Sequence, residues 1–461
     1  MLTDALPAPA APPGRGFVRF LWTSNPLYVV SAGLFLHGLQ TSFGDHTRDL
    51  DAWALTAGLG GYTLLLAGAA LLLVRYAGSW NDLRTVLLLV VLMFLATSVT
   101  FDELLVMNPG RGVLLNAAGL AFAVAVTEGV LGGIRLRLPA GFRLPYYLAL
   151  GLFFLYPVAL VPVIRAPESD ALLWGLWGFA PAAGLVFLTL LPAARRGPGY
   201  VRGNGSPWPW PFYPWSLFVF LAVAVCGRAF LLCWSLHLLD GGHAGELVFG
   251  PYFLAPFGFA VAVVLLELGL AARHRPTQVV ALLLPLGLVG LSGVGLGENA
   301  VADDFLVRYA DRLGGTPLFV ALVAAGGFAA VAWGRRVPFA TDVLTVVLIG
   351  LAVIGPDTQR VAAAHAPQAG FLVAAWAVQL GVGLWRREAW RWGLAGGAPT
   401  VWVGLEGWRL YLAARAAVAG LDYLVAGLLV FPVAVLVSLG KAGVVGRWLR
   451  AWRALRDEAG A

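Results

Sequence analysis

The sequence predicts an all-α polytopic integral membrane protein, a helical bundle with about fourteen transmembrane helices. Of its 461 residues, 60% are hydrophobic and only 12% are charged, whereas an ordinary soluble domain has roughly 25% charged residues. Because so apolar a chain cannot cover itself with polar surface, a lipid solvent is the simplest environment for it. The 31 Lys and Arg residues cluster at every second break between long apolar stretches, a pattern typical of multi-pass proteins.

A bilayer core of about 30 Å needs about 20 apolar residues per helix, and this length criterion defines the spans. Twelve segments meet it: 27–43, 52–74, 85–107, 113–134, 145–164, 171–192, 215–239, 249–272, 277–297, 317–334, 339–355 and 369–385. Two further spans, 401–419 and 421–440, are predicted because a pair of crossings returns the basic C-terminal tail to the side of the other basic loops. The first of these contains Glu406 and Arg409, so a helix lying in the interface is the alternative for it.

Basic residues define the predicted orientation, because they follow the even-numbered spans. Arg75, Arg135, Arg195, Arg273 and Arg335 are examples. The positive-inside rule therefore places both termini in the cytoplasm, and we expect a bacterial-type inner (plasma) membrane. The net charge of +7 comes mostly from the flanks of apolar segments. This favours anionic lipid headgroups at the cytoplasmic face as partners, and not nucleic acid.

The predicted organisation has five parts. A disordered cytoplasmic tail (1–26) precedes a first six-helix half (27–192), a Pro/Trp-rich cytoplasmic linker (193–214) and a second six-helix half (215–385). A basic, Trp-rich interfacial segment, two further spans and a basic tail make up 386–461. The alternating prolines of the run 207–215 predict an extended conformation there. Equal span numbers and similar charge spacing predict that the halves are parallel repeats.

Ionisable side chains inside predicted spans are costly and are therefore candidates for a substrate or ion pathway. They are Glu128, Arg228, Glu267, Asp342, Glu406 and Arg409. Arg228 is the deepest, and we expect it to pair with Glu128 or Glu267, either as a structural ion pair or in a transport pathway. Glu406 and Arg409 are three residues apart, so they share a helix face and can neutralise each other.

A second set of candidates consists of acidic residues predicted at the outer face. They are Asp45, Asp49, Asp51, Asp102 and Glu103. Many spans combined with an outer-loop carboxylate resemble the layout of membrane glycosyltransferases that use lipid-phosphate sugar donors. The resemblance concerns layout and not a motif. It implies an enzyme that acts on a lipid substrate at the outer face.

Three functions are consistent with these features. The leading hypothesis is a transporter or flippase of a small or lipid-linked solute, in which Arg228 and at least one of Glu128 and Glu267 face a shared aqueous cavity. The alternatives are the outer-face enzyme, with a groove beside the outer acids, and a non-catalytic scaffold or sensor subunit with a packed interior. No cofactor or metal site is expected, because Cys226 and Cys233 lie on one face of one span and cannot close a tetrahedral site.

Overall fold

A computed structural model describes residues 27–43, 49–164, 171–238, 249–293, 307–309, 316–354, 368–417 and 430–431. This part of the chain is all-helical, with 89% helix and no strands. The predicted tail 1–26 and nearly all of the predicted span 421–440 lie outside the described residues.

The helix bounds follow the predicted spans closely. In chain order the helices are α1 Leu27–Phe43, α2 Asp49–Leu72, α3 Trp80–Met107, α4 Pro109–Gly133, α5 Ala140–Ile164, α6 Ala171–Leu188, α7 Leu191–Arg196, α8 Phe212–Leu232, α9 Ala255–Ala271, α10 Arg275–Ser292, α11 Pro317–Gly334, α12 Ala340–Val353, α13 Gln368–Arg386 and α14 Ala389–Ala417. A π-helical turn extends α2 through Ala77 and another extends α8 through Leu238. Short 3-10 turns, Gly197–Val201 and Pro251–Leu254, follow α7 and precede α9.

Nine helices in the described residues are long and apolar enough to cross a membrane. They are Trp53–Tyr76, Trp80–Met107, Pro109–Gly133, Ala140–Ile164, Ala171–Val201, Phe212–Leu236, Pro251–Ala271, Arg275–Ser292 and Pro317–Gly334. Large apolar side chains such as Leu65, Leu114 and Leu185 lie exposed on them, as expected for a surface that faces hydrocarbon and not water. The chain is therefore best described as a multi-pass membrane protein. The number fourteen stays a prediction.

The chain divides into two compact units, Met1–Phe371 and Leu372–Ala461. In the first unit, α3 packs against α1, α2, α4, α5 and α8, and α9 packs against α6, α7, α10 and α11. Phenylalanines including Phe94, Phe153 and Phe154 fill the core around α3. Both predicted halves contribute to this first unit, and their relation as repeats stays a prediction.

Helices α3 and α4 approach each other closely because glycines face the contact. A Cβ atom built on Gly112 would lie 2.4 Å from the Cα of Leu105, and one on Gly119 would lie 2.7 Å from the ring of Phe101. Small residues permit such contacts where no hydrophobic force drives helices together. At the start of α4, Asn108 Oδ1 accepts a hydrogen bond from the Arg111 backbone N–H at 3.3 Å, which caps the helix.

Several turns meet at one end of the first unit, which we call the basic end. Trp80, after the α2–α3 turn, packs edge-on against Trp208 of the linker with 5.5 Å between ring centroids. The backbone N–H of Arg137 in the α4–α5 turn donates to the carbonyl of Asn204 at 2.7 Å. Glu267 on α9 binds arginines of α7 and of the α11–α12 turn. Turns that the sequence predicts on one side of the membrane therefore lie together at one end of the first unit.

Four helices end in the same way, with an arginine in the left-handed region one or two positions after the last helical residue. These residues are Arg135, Arg273, Arg336 and Arg387. In each case the next residue donates its N–H to the carbonyl five residues earlier, as Leu136 does to Leu131 at 3.0 Å. Glycine usually occupies this position, because a Cβ is disfavoured there. A cation near a helix C-terminus interacts favourably with the helix dipole, which offsets part of that cost.

Part of the linker is helical, and the predicted extended run 207–215 is wrong at its end, because α8 begins at Phe212. Only residues 202–211 lie outside helices, because α7 and a 3-10 turn precede them and α8 begins at Phe212. Pro214 stands in the first turn of α8, where a missing N–H leaves no helical bond unmade. Val201 and Asn204 are buried, so the linker packs against the unit.

In the second unit, α14 runs without a break from Ala389 to Ala417. Most of the predicted interfacial segment and residues 401–417 of the predicted span 401–419 therefore share one helix. Arg391, predicted to face lipid headgroups, is instead 3% exposed, and its Nη1 donates to Oε1 of the buried Gln379 at 3.3 Å. Trp390 and Trp392 beside it remain exposed, as the basic, Trp-rich pattern predicts.

Candidate functional site

The deepest charge of the first unit is held in a bidentate ion pair between α8 and α3. Both side chains, Arg228 and Asp102, are 0% exposed. Arg228 Nη2 donates to Asp102 Oδ1 at 2.9 Å and to the Phe153 carbonyl at 3.0 Å, and Nη1 donates to Asp102 Oδ2. Such fork-to-carboxylate geometry is the strongest form of this contact. Arg228 Nε has no partner within the described residues.

The predicted partners of Arg228 are therefore wrong, and helix geometry explains why. Arg228 lies about 24 Å along α8 from its start at the basic end, at 1.5 Å per residue. Glu128 and Glu267 lie within about 8 Å of the basic ends of their helices by the same measure. No guanidinium spans that difference in depth. Within the described part of the chain, Arg228 is fully enclosed and does not face a cavity shared with either glutamate.

Asp102 also differs from its prediction as an outer-face acid. It lies in the last two turns of α3, wholly buried and bound to Arg228. Glu103 next to it is half-buried. Asp45 lies outside the described residues, and Asp49 and Asp51 are described only as the first turn of α2. The role of these acids at the outer face stays a prediction, apart from Asp102.

Glu267 forms the second charge cluster, at the basic end. Its Oε1 accepts from Arg195 Nη2 at 3.2 Å and from Arg335 Nη2. The carboxylate side chain is 11% exposed, and the arginine side chains are 58% and 48% exposed. A guanidinium has five N–H donors, so both arginines keep donors that can reach a further anion. The cluster carries two positive charges against one negative charge.

A groove of about 450 Å³ runs between α9 and α11 and ends at Glu267 and Arg335. Small and apolar side chains form its sides: Ala255, Phe259, Val263, Val320, Ala324 and Gly327. The α9 part from Ala255 to Glu267 is about 18 Å long and the α11 part from Pro317 to Arg335 about 27 Å, at 1.5 Å per residue. A bilayer core is about 30 Å thick. The groove therefore extends over most of an apolar layer and has its charges at one end.

Aromatic rings close the opposite end of the groove. Tyr252 and Tyr309 line it with 5.8 Å between their centroids, and Tyr309 also stacks on Trp174 at 5.9 Å. Burial raises the pKa of Tyr309 to about 12, so its phenol is neutral at physiological pH. The groove is therefore amphipathic along its length, with aromatic rings at one end and guanidinium groups at the other.

Glu128 lies at the basic end in a separate cleft. Its Oε1 accepts from Arg143 Nε at 3.1 Å and from the hydroxyl of Tyr147. The side chains of Glu128 and Arg143 are 39% and 49% exposed. The three deep candidates therefore lie in different environments. Arg228 is fully buried, Glu267 lies at one end of the groove between α9 and α11, and Glu128 lines a surface cleft.

The remaining candidates lie apart from these sites. Asp342 is half-buried in the first turn of α12. In the second unit, Arg409 Nη1 donates to Glu406 Oε1 at 3.0 Å, and both side chains are about half-exposed. The predicted pairing of these two residues is confirmed. Within the described residues, no three His, Cys, Asp or Glu side chains are grouped so that they could hold a metal ion.

Sequence reasoning missed the arginines that complete the Glu267 cluster, because Arg195 and Arg335 were assigned to loops. The signal was available, since Glu267 lies near the end of the predicted span 249–272 and both arginines directly follow predicted spans that end on the same side. The groove itself had no sequence signal. No family model, no curated protein and no solved structure matches the chain.

Proposed function

We propose that this protein is a membrane transporter or flippase of an anionic, lipid-linked solute, and that the groove between α9 and α11 is its substrate path. The observation that carries the proposal is the amphipathic groove: apolar over about 27 Å and ending at Arg335 beside Glu267. The apolar chain of a lipid-linked solute, lying in this groove, would keep apolar contacts like those that it makes within the bilayer. The spare N–H groups of Arg335 and Arg195 would bind a phosphate bidentately.

In this proposal the ion pair between Arg228 and Asp102 has a structural role. It is enclosed on all sides and joins α8 to α3, the helix that contacts most of the first half. The path instead uses Glu267, the one deep candidate that lies on the groove. The basic end faces the cytoplasm in this proposal, in keeping with the positive-inside rule.

The test is lipid translocation in proteoliposomes that contain fluorescent phosphatidylglycerol, followed by dithionite bleaching of the outer leaflet. We expect the wild-type protein to accelerate translocation over protein-free vesicles. Ala324→Trp places an indole in the middle of the groove and should slow translocation at least about tenfold, equivalent to about 1.4 kcal/mol.

The matched control is Ala330→Trp, because Ala330 is exposed on the same helix and does not line the groove. Its translocation rate should stay within about twofold of wild type. A wild-type rate equal to that of protein-free vesicles would contradict transport of phospholipid. Equal loss in both variants would show that the groove is not the path.

The dry ion pair specifically favours a second function, a non-catalytic scaffold or sensor subunit. That hypothesis predicts buried charges that are all paired, and Arg228 with Asp102 meets this expectation. The same assay separates the two functions, because a scaffold would give no acceleration in wild type or in either variant.

A further inference from the structure

A second cavity lies at the basic end, in the turn between α4 and α5. Its volume of about 880 Å³ falls within the range of about 300–1,000 Å³ that is typical of small-molecule sites. The residues that matter for its chemistry are Glu128, Arg135, Arg137, Arg143, Gly203 and Gly205. None of its lining residues lines the groove between α9 and α11, so it is a separate site.

The charge in this cleft is strongly positive. Three guanidinium groups face one carboxylate, and Glu128 is engaged by Arg143 and Tyr147. Within the described residues, the side chains of Arg135 and Arg137 form no ion pair, and both are exposed. Two positive charges therefore remain without a counter-charge in a concave site, where an anion would be held by several donors at once.

The backbone that presents these two arginines is fixed from several directions. The Arg137 N–H donates to the Asn204 carbonyl at 2.7 Å, and the Arg137 carbonyl accepts from the Tyr213 hydroxyl at 3.0 Å. Arg135 has a φ of 56°. A Cβ atom on Gly205 would lie 2.4 Å from the Arg135 carbonyl oxygen, so only glycine fits there. Fixed walls lower the entropy cost of binding a ligand.

An apolar recess adjoins the cleft. Leu131, Leu136 and Leu138 line both cavities, and the recess also reaches Tyr146 and Trp208. A ligand seated against the arginines would therefore have apolar surface next to it. This arrangement fits an anionic group that is attached to an apolar one.

We propose that the cleft binds a phosphate-bearing ligand, with Arg135 and Arg137 as the anion-binding groups. Arginine matches phosphate geometry through paired N–H donors. Arg143 is positioned by Glu128 and contributes charge. A membrane phospholipid headgroup and a soluble phosphate compound share this chemistry, and the experiment separates the two sources.

The experiment uses the full chain in an uncharged maltoside detergent and measures binding by calorimetry. One arm titrates inorganic diphosphate, and the other titrates short-chain phosphatidic acid in mixed micelles. We expect saturable binding in at least one arm, with a component that depends on Arg135 and Arg137. Binding of phosphatidic acid alone identifies a lipid headgroup, and binding of diphosphate alone identifies a soluble ligand.

The chain offers a matched control. Arg273 and Arg275 have the same spacing as Arg135 and Arg137, and Arg273 has the same left-handed conformation with a φ of 51°. Neither lines the cleft. The double variant Arg135→Gln with Arg137→Gln should weaken binding at least about tenfold, whereas Arg273→Gln with Arg275→Gln should change it by less than about twofold. Equal weakening in both, or no binding of either probe by wild type, would overturn the proposal.

For a third variant we expect anion binding to become tighter and not weaker, a result that misfolding cannot produce. Glu128→Gln removes the only carboxylate among the described residues that line the cleft, and should tighten anion binding several-fold. Asp82→Asn removes an acid that lies near the basic end but outside the cleft, and should leave binding unchanged. Unchanged or weaker binding in Glu128→Gln contradicts the site.

Discussion

Two Arg–carboxylate clusters in the first unit use the same chemistry in opposite surroundings. The pair of Arg228 and Asp102 is 0% exposed on both sides, whereas the arginines that bind Glu267 are about half-exposed at the mouth of a groove. A charged group that is buried away from water needs a counter-charge and hydrogen-bond partners among its neighbours, because desolvation of an unpaired charge costs several kcal/mol. A half-exposed charge can exchange partners. The first cluster is therefore suited to fixing helices and the second to binding a ligand.

The largest expected effect comes from breaking the dry pair. Asp102→Ala leaves the Arg228 guanidinium buried without a counter-charge, and we expect a loss of about 3–5 kcal/mol in the free energy of unfolding. Reversible unfolding in mixed detergent micelles measures it. Glu406→Ala removes one partner of a half-exposed pair and should cost less than about 1 kcal/mol. Similar losses in the two variants would mean that the pair of Arg228 and Asp102 is accessible to water.

The next effect tests the close contact between α3 and α4 that lies beside the dry pair. Gly112→Ala places a Cβ against the backbone of Leu105, and such overpacking costs about 1–3 kcal/mol. Gly129→Ala on the same helix meets nothing within 4 Å and should stabilise the helix by up to about 1 kcal/mol. Thermal unfolding in detergent gives both values. A neutral Gly112→Ala would show that α3 and α4 are farther apart than described.

The smallest stability effect is expected at the Glu267 cluster, whose two arginines are about half-exposed. Glu267→Gln removes the carboxylate but leaves Arg195 and Arg335 in contact with solvent, so we expect a loss of about 1 kcal/mol or less. Because exposed charges are screened, this loss should shrink as ionic strength rises. Unfolding at low and high salt is the measurement. A large loss that does not depend on salt would place Glu267 in the same class as Asp102.

The sequence predicted the helices well because their signal is local. Apolar length and flanking charge mark each span. Residues 401–417 of the weakest predicted span, 401–419, lie in α14, although that helix is not among those apolar enough to span. The partners of charged residues could not be predicted in the same way. Arg228 and Asp102 are 126 residues apart, and Glu267 lies 72 and 68 residues from its two arginines.

A comparison of how deep each charged residue lies along its helix would have corrected part of the wrong pairing predicted for Arg228. Counting residues from the basic end places Glu128 and Glu267 far from Arg228, and leaves the acids near the outer end of α3 as partners. The groove is harder to foresee, because it depends on which faces of α9 and α11 stay apart. Small residues such as Ala324 and Gly327 line it, but the same residue types close the contact between α3 and α4.

The most direct test of the central claim is the translocation rate of the double variant Asp102→Leu with Arg228→Met. Replacing a buried ion pair with apolar side chains of similar size is often neutral for stability, so the variant should fold. If the pair is structural and the groove is the path, the rate per folded protein should stay within about twofold of wild type. A folded double variant that loses translocation about tenfold or more would contradict the account and place the dry pair in the transport pathway.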